Sequence, residues 1–295
     1  MSQSLSSGAL AAGLAVDVEG SALPYRRLGE ATREQDLELK LAELRRDYAD
    51  LHTSLFEASQ VYRRLCAPRL VRHGNFEIAS ETFAARHVPG DFFRIEETGD
   101  GALLVLGDIS GKGLAAGMWT TLLLGLLDIH RESNADPELI VGSMNRDLCR
   151  ASIGAPLTTL FLARLDSTTG KLDYCSAGHP PALLLRVDGH LESLSDGGPV
   201  LGVVPEASFA RGSDQLNYGD VLLVYSDGIL EAHNYADEEF GFDQLEVQLR
   251  SSRNGFADAI LFSMLGAVQD FVGGCPQADD MSLVVVRRRT RQGGR

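Results

Sequence analysis

The chain has 295 residues, with 27 Lys and Arg against 41 Asp and Glu, a formal net charge of −14. That balance argues against a nucleic-acid partner and against binding to an anionic membrane surface. The four cysteines, Cys66, Cys149, Cys175 and Cys275, form no Cys-x-x-Cys pair and read as buried reduced thiols, which suits a cytoplasmic protein.

Residues 1–30 are rich in Ser, Ala and Gly and read as a disordered segment, without the basic start and apolar core of a signal peptide. From Leu37 apolar residues recur at alternating spacings of four and three: Leu37, Leu41, Leu44, Tyr48, Leu51, Leu55, Ala58, Tyr62 and Leu65. A 3.5-residue period with charged residues between predicts a coiled-coil or linker helix over 31–67 and a homodimer through 37–65. The competing reading is a single amphipathic helix lying on its own domain. Pro68 should end the helix.

Beyond Pro68 the pattern changes to short β-like runs at 76–79, 101–106, 157–165, 172–176, 182–187, 191–194, 221–225 and 282–286. Ser-Thr-Thr-Gly at 167–170 and Asp188-Gly189 mark hairpins. Helical stretches are predicted at 114–131, 137–152, 243–251 and 256–271. Consecutive hairpins covered by helices make an α+β layered sandwich of mainly antiparallel sheets rather than a doubly wound parallel sheet. The uncharged run 114–127 is too short to span a bilayer and reads as a buried helix, with Trp119 in the core. The folded domain is placed at 68–290, with 291–295 as a tail.

Acids recur at the ends of these runs: His-Val-Pro-Gly-Asp91, Gly-Asp108-Ile-Ser-Gly-Lys-Gly, Ser-Asp227-Gly and Ala-Asp279-Asp280-Met-Ser. An acid after a strand is by itself usually a turn former or helix cap. Four such acids gathered by one fold would make an oxygen-only site for hard divalent cations. Two such ions form a device for phosphate-ester hydrolysis. His179, in Gly-His-Pro-Pro, reads as a turn former before a catalytic residue; Lys112 reads as a solvent-facing turn residue or a phosphate contact.

Taken in this order, the acid motifs resemble the metal-dependent protein phosphatase (PPM, type 2C-like) family, and most closely its SpoIIE-type bacterial branch. Ala58-Ser-Gln60 through Ala67-Pro68, Ser176-Ala-Gly-His179-Pro-Pro181, Gly198-Pro-Val-Leu-Gly202 and Gly219-Asp220 extend the resemblance to about residue 287. It implies an αββα sandwich of two mainly antiparallel sheets flanked by helices, preceded by the coiled-coil helix. It also implies two Mn²⁺ or Mg²⁺ ions. Asp108 would bridge both and act through a metal-activated water; Asp91 and the backbone carbonyl of Ile109 would bind one ion, and Asp227 and Asp279 the other. Asp280 would support from behind. The expected activity is hydrolysis of phosphoserine or phosphothreonine in a phosphoprotein, an anti-sigma-factor antagonist in this branch, under control of coiled-coil dimerisation. The rival readings are a weak or inactive phosphatase-like dimeric scaffold and a hydrolase of small phosphate esters. Pro89 departs from the family's usual glycine before Gly-Asp, and Ser110 stands where eukaryotic members carry a histidine.

Overall fold

The computed structural model describes residues 23–66, 70–131, 136–151 and 154–289. Residues 1–22 of the segment read as disordered, the helix-ending Pro68 and the tail 291–295 lie outside the described residues. The chain divides into two units, residues 1–53 and 54–295, and helix α1 (Leu23–Leu65) belongs in part to each.

In the first unit, the seam residues Leu37, Leu41, Leu44, Tyr48 and Leu51 are all exposed, between 47% and 67%. An apolar stripe of this kind on a helix surface is unpartnered within its own chain. In the second unit the same heptad register turns inward. Ala58 and Leu65 pack against the domain's core, and Tyr62 is buried. The final seam positions therefore serve this chain's own domain, as the competing amphipathic-helix reading expects.

Period-two burial decides the architecture of the second unit. In β11 (Val221–Tyr225), Leu222 and Val224 join one apolar core, while Val221, Leu223 and Tyr225 join another. β12 (Met281–Arg288) alternates likewise, with Val284 and Val286 on one side and Leu283 and Val285 on the other. Strands buried on both faces need a layer on each side. One sheet runs β1 (Leu70–His73), β2 (Phe76–Phe83), β12, β11, β7 (Ala182–Leu185), β8 (Leu191–Leu194). The other runs β10 (Gly212–Gln215), β6 (Lys171–Ala177), β5 (Thr158–Asp166), β4 (Gly101–Ile109), β3 (Phe92–Glu97). All these neighbours are antiparallel; the short β9 (Gly197–Gly198) alone pairs in parallel, with β6.

Helices α2 (Leu114–Arg131) and α3 (Pro137–Arg150) pack on the second sheet, and α6 (Ala257–Val272), braced by α5 (Gly241–Ser252), packs on the first. One core fills the space between the sheets and under α2 and α3; the other lies under α5 and α6. The layers are helix, sheet, sheet, helix, an α+β sandwich of two mainly antiparallel sheets. The strands β1, β3 and β10 were not anticipated: each is short or carries charged residues on one face, which weakens the alternation.

The expectation of a buried helix over 114–127 needs correction. Only one face of α2 is covered, by Ala116, Thr120, Leu123, Leu124 and Leu127, while Leu114, Met118 and Leu122 point outward. Trp119 is half-buried against the core rather than enclosed in it. No described helix is long and apolar enough to cross a membrane.

Candidate metal centre

Each sheet contributes one pair of acids to a shared end of the sandwich. In the second sheet, β3 and β4 pair from Phe92 opposite Gly107, so Asp91 and Asp108 sit side by side just beyond that first pair. The Ile109 N–H donates to the Gly90 carbonyl at 3.3 Å and holds the two segments together. In the first sheet, Tyr225 pairs with Leu283 and the Ser226 N–H donates to the Ser282 carbonyl, which brings Asp227 beside the Asp279–Asp280 turn. Asp227 opens the short helix α4 (Asp227–Leu230).

Glycine makes these approaches possible. A Cβ at Gly90 would stand 2.7 Å from the carbonyl oxygens of Ile109 and Gly111 and 3.3 Å from Asp108 Oδ1. A Cβ at Gly228 would stand 2.0 Å from the Asp280 carbonyl oxygen. Neither position tolerates a side chain without moving an acid.

Asp279 and Asp280 take different parts. Asp280 is buried, and its two carboxylate oxygens accept the backbone N–H groups of Ala85, at 2.7 Å, and Gly90, at 2.6 Å. It ties the loop before Asp91 to the start of β12. Asp279 is partly exposed; its Oδ1 lies 2.8 Å from Lys112 Nζ and accepts the Asp280 N–H. Lys112 also donates to the Ala278 carbonyl, so it is an ion-pair partner within the site rather than a free turn lysine. Pro89 does not interrupt this contact, because the amide that Asp280 grips belongs to Gly90.

The electrostatics are those of a crowded anionic site. Burial, then the neighbouring Asp108 charge, pushes the Asp91 carboxyl well above the usual range, against the pull of the Ser282 and Ser226 side chains. Burial and the charges of Asp227, Asp279 and Asp280 raise Asp108 to about 6. Asp227 is raised by burial and by Asp279, and Asp280 chiefly by burial. Asp91 is 1% exposed, and its Oδ2 has no hydrogen-bond partner. A buried, unpartnered carboxylate oxygen beside a second carboxylate is costly unless a cation meets it. Among the described residues, no three His, Cys, Asp or Glu side chains already close a cage around one point. Asp279 is turned to Lys112 and Asp280 to backbone amides. The donor set, all oxygen and net anionic, fits hard divalent cations.

Several contributors escaped the sequence reading. Tyr62, read as a coiled-coil position, donates its hydroxyl to the backbone carbonyl of Asp91 at 2.6 Å. Gln277 Nε2 donates to the carbonyls of Phe83 and Asp279, both at 2.7 Å, and fixes the turn that carries Asp279. The one sequence signal for Tyr62 was its hydroxyl, since a tyrosine that becomes buried needs a partner. His179 is buried, with Nδ1 2.9 Å from Thr159 Oγ1, and burial lowers it to about 3; it is a neutral structural residue, as its turn motif suggested. A cavity of about 500 Å³ opens beside Asp279 and Gly228, with Glu231, His233, Val272 and Met281 among its walls.

Comparison with known proteins bears on what this geometry serves. The stage II sporulation protein E (SpoIIE) family model matches residues 98–289. The chain is 28% identical over 235 residues to protein IcfG of Synechocystis sp., across 69% of this chain; it spans only 36% of IcfG's length. It is 24% identical over 240 residues to the phosphoserine phosphatase RsbU of Bacillus subtilis, across 79% of this chain and 69% of RsbU. Among solved structures, the SiaA-PP2C domain of Pseudomonas aeruginosa shares the fold with a TM-score of 0.71, over 81% of this chain and 97% of that domain, at 20% identity. The family model covers well over half of the residues, and the chain belongs to the SpoIIE family.

Proposed function

We propose that this protein is a metal-dependent phosphatase that removes phosphate from serine or threonine of a phosphoprotein. The observation that carries the reading is the buried, unpartnered Oδ2 of Asp91 beside Asp108, with Asp227 and Asp279 delivered to the same end of the sandwich by the other sheet. Asp91, Asp108 and the Ile109 carbonyl would hold one Mn²⁺ or Mg²⁺, and Asp227 and Asp279, with Asp108 between them, a second. When bound, the ions supply an activated water and an electrostatic clamp for the phosphoryl oxygens.

The rest of the site positions these groups. Asp280 keeps the 85–90 loop, and so Asp91, against β12. Lys112 holds Asp279 and offers a cation to an arriving phosphate. The cavity beside Asp279 receives residues that flank the phosphorylated side chain. RsbU is a phosphoserine phosphatase, and the substrate inferred here is likewise a phosphoprotein: an anti-sigma-factor antagonist of the cytoplasm. Of the coil at 37–65, the exposed seam from Leu37 to Leu51 supports dimerisation, while Ala58, Tyr62 and Leu65 face the domain. The dimer favours the active arrangement of the domain, and α1 is a control element rather than a tether.

The test is hydrolysis of an aryl phosphate and of a phosphoserine protein by the full chain, with Mn²⁺ and with chelator. Metal-dependent turnover lost in Asp108→Asn supports the reading. Metal binding without turnover on either substrate favours the inactive scaffold.

A further inference from the structure

We propose that Tyr62 is a positioning residue of the metal centre: its hydroxyl, carried on the last turn of α1, holds the Asp91 peptide and thereby sets the affinity for divalent cations. The proposal rests on the assignment of Asp91 as a metal ligand. Among the described side chains of α1, Tyr62 alone is buried. Its bond to the Asp91 carbonyl is 2.6 Å, short and inside the domain. Burial pushes the phenol well above its usual range, so it remains a donor at neutral pH.

The placement is unusual in what surrounds it. Further holds on the 85–91 segment come from the sandwich itself: Asp280 to Ala85 and Gly90, the Gly113 N–H to the Val88 carbonyl, the Ile109 N–H to the Gly90 carbonyl, and the Ser282 and Ser226 side chains to Asp91. Tyr62 adds a hold that comes from α1. Around it the helix does not close onto the loop, because a cavity of about 1000 Å³ lies between Phe56, Gln60 and Arg63 on the helix and Arg86, His87 and Pro89 on the loop. The Tyr62 bond therefore joins helix and loop beside an open space rather than inside a filled interface. A rotation of α1 by about 30° carries an atom ~6 Å from the helix axis through about 3 Å. That exceeds what a hydrogen bond can follow. Asp91 stands one residue before the β3–β4 ladder, so its carboxylate moves with the peptide that Tyr62 holds. A change in the helix is thereby read as a change in metal affinity. By reciprocity, bound metal must favour the helix position that keeps the bond.

Calorimetric titration of the full chain with Mn²⁺ tests this, comparing wild type with Tyr62→Phe, which keeps the ring and removes the donor. Loss of one hydrogen bond should weaken Mn²⁺ binding about 3- to 10-fold, with kcat at saturating Mn²⁺ within about 2-fold of wild type. Tyr48→Phe, on the exposed part of α1, should bind as wild type. Equal affinity in Tyr62→Phe and wild type overturns the proposal. Absence of Mn²⁺ binding in wild type overturns the metal reading itself, a different outcome. Should Tyr62→Phe fail to fold, hydrogen exchange on wild type decides. Amides of residues 55–66 should exchange more slowly with Mn²⁺ than with chelator, and unchanged exchange there refutes the coupling.

Discussion

Asp108→Asn should make the metal-free protein more stable while abolishing its response to metal. The Asp108 carboxyl is raised from an ordinary 3.8 to about 6, by burial first and then by Asp227, Asp279 and Asp280. At pH 7.5 it is ionised in a folded state that disfavours its charge. The rise corresponds to roughly 3 kcal/mol, cut to about 2 kcal/mol because solvent still reaches the group. Asparagine removes that charge, and for a domain of this size the gain should appear as a Tm higher by about 4–8 °C in chelator. The sign also fixes a pH dependence. A carboxyl raised on folding stabilises the protein below its unfolded value and loses that contribution as pH rises through about 6. Metal-free wild type should therefore gain stability on acidification from pH 7 to 5, and Asp108→Asn should gain less. Scanning calorimetry with chelator and with Mn²⁺ measures both. Wild type should be stabilised by Mn²⁺ and the variant should not. A variant that melts at or below wild type in chelator, and still gains stability from Mn²⁺, would refute the idea of a crowded carboxylate site completed by cations.

Asp227→Asn and Asp279→Asn should each lower turnover at least 100-fold, measured on a phosphoserine protein at saturating Mn²⁺. Asp280→Asn should lower it less, because Asp280 is occupied by two backbone amides; equal losses at 279 and 280 would count against that division. Lys112→Met should tighten Mn²⁺ binding about 2- to 5-fold by calorimetry, since it removes a cation from Asp279, and the exposed pair itself contributes little stability. Deleting residues 1–53 should turn a dimer into a monomer in light scattering while leaving Tyr62 in place; a persistent dimer would locate the interface on the catalytic domain, where α2 exposes Leu114, Met118 and Leu122.

Much of this was legible in the sequence, and for identifiable reasons. Runs of Leu and Val in β4, β7, β11 and β12 are buried on both faces, so their signal is strong. Gly189 and Gly170 both take positive φ, which is why Asp188-Gly189 and Ser-Thr-Thr-Gly at 167–170 announced their hairpins. The acids stood out because each lies close to one end of a strand. What the sequence hid was direction. Leu114, Met118 and Leu122 look like core in a one-dimensional pattern, and only the fold shows that α2 lies on the sandwich with one face out. Asp279 and Asp280 are adjacent and chemically identical, yet their peptide turns one to Lys112 and the other to the 85–90 loop. Tyr62 keeps the heptad spacing perfectly, so periodicity alone assigns it to a partner helix when it belongs to Asp91.

The division of acids between sheets has a consequence for how metal affinity is controlled. Asp91 and Asp108 lie at the ends of β3 and β4, while Asp227 and Asp279 lie at the ends of β11 and β12, so the proposed two-ion site would close only when the sheets keep register at this end. Asp280 is one direct polar tie across that junction, from the start of β12 to the loop before β3, and Lys112 to Asp279 is another. Metal then adds to a register that hydrogen bonds have set, and mutual repulsion of the acids opposes it until cations arrive. A site balanced in this way responds to small displacements of any member, and Asp91 is the one whose peptide takes a hold from α1. On the proposed reading the helix would not need to reach the phosphate to govern turnover. It would need only to change the probability that Asp91 faces the ions, and a few-fold change in metal affinity would become a few-fold change in active enzyme when Mn²⁺ is near its dissociation constant.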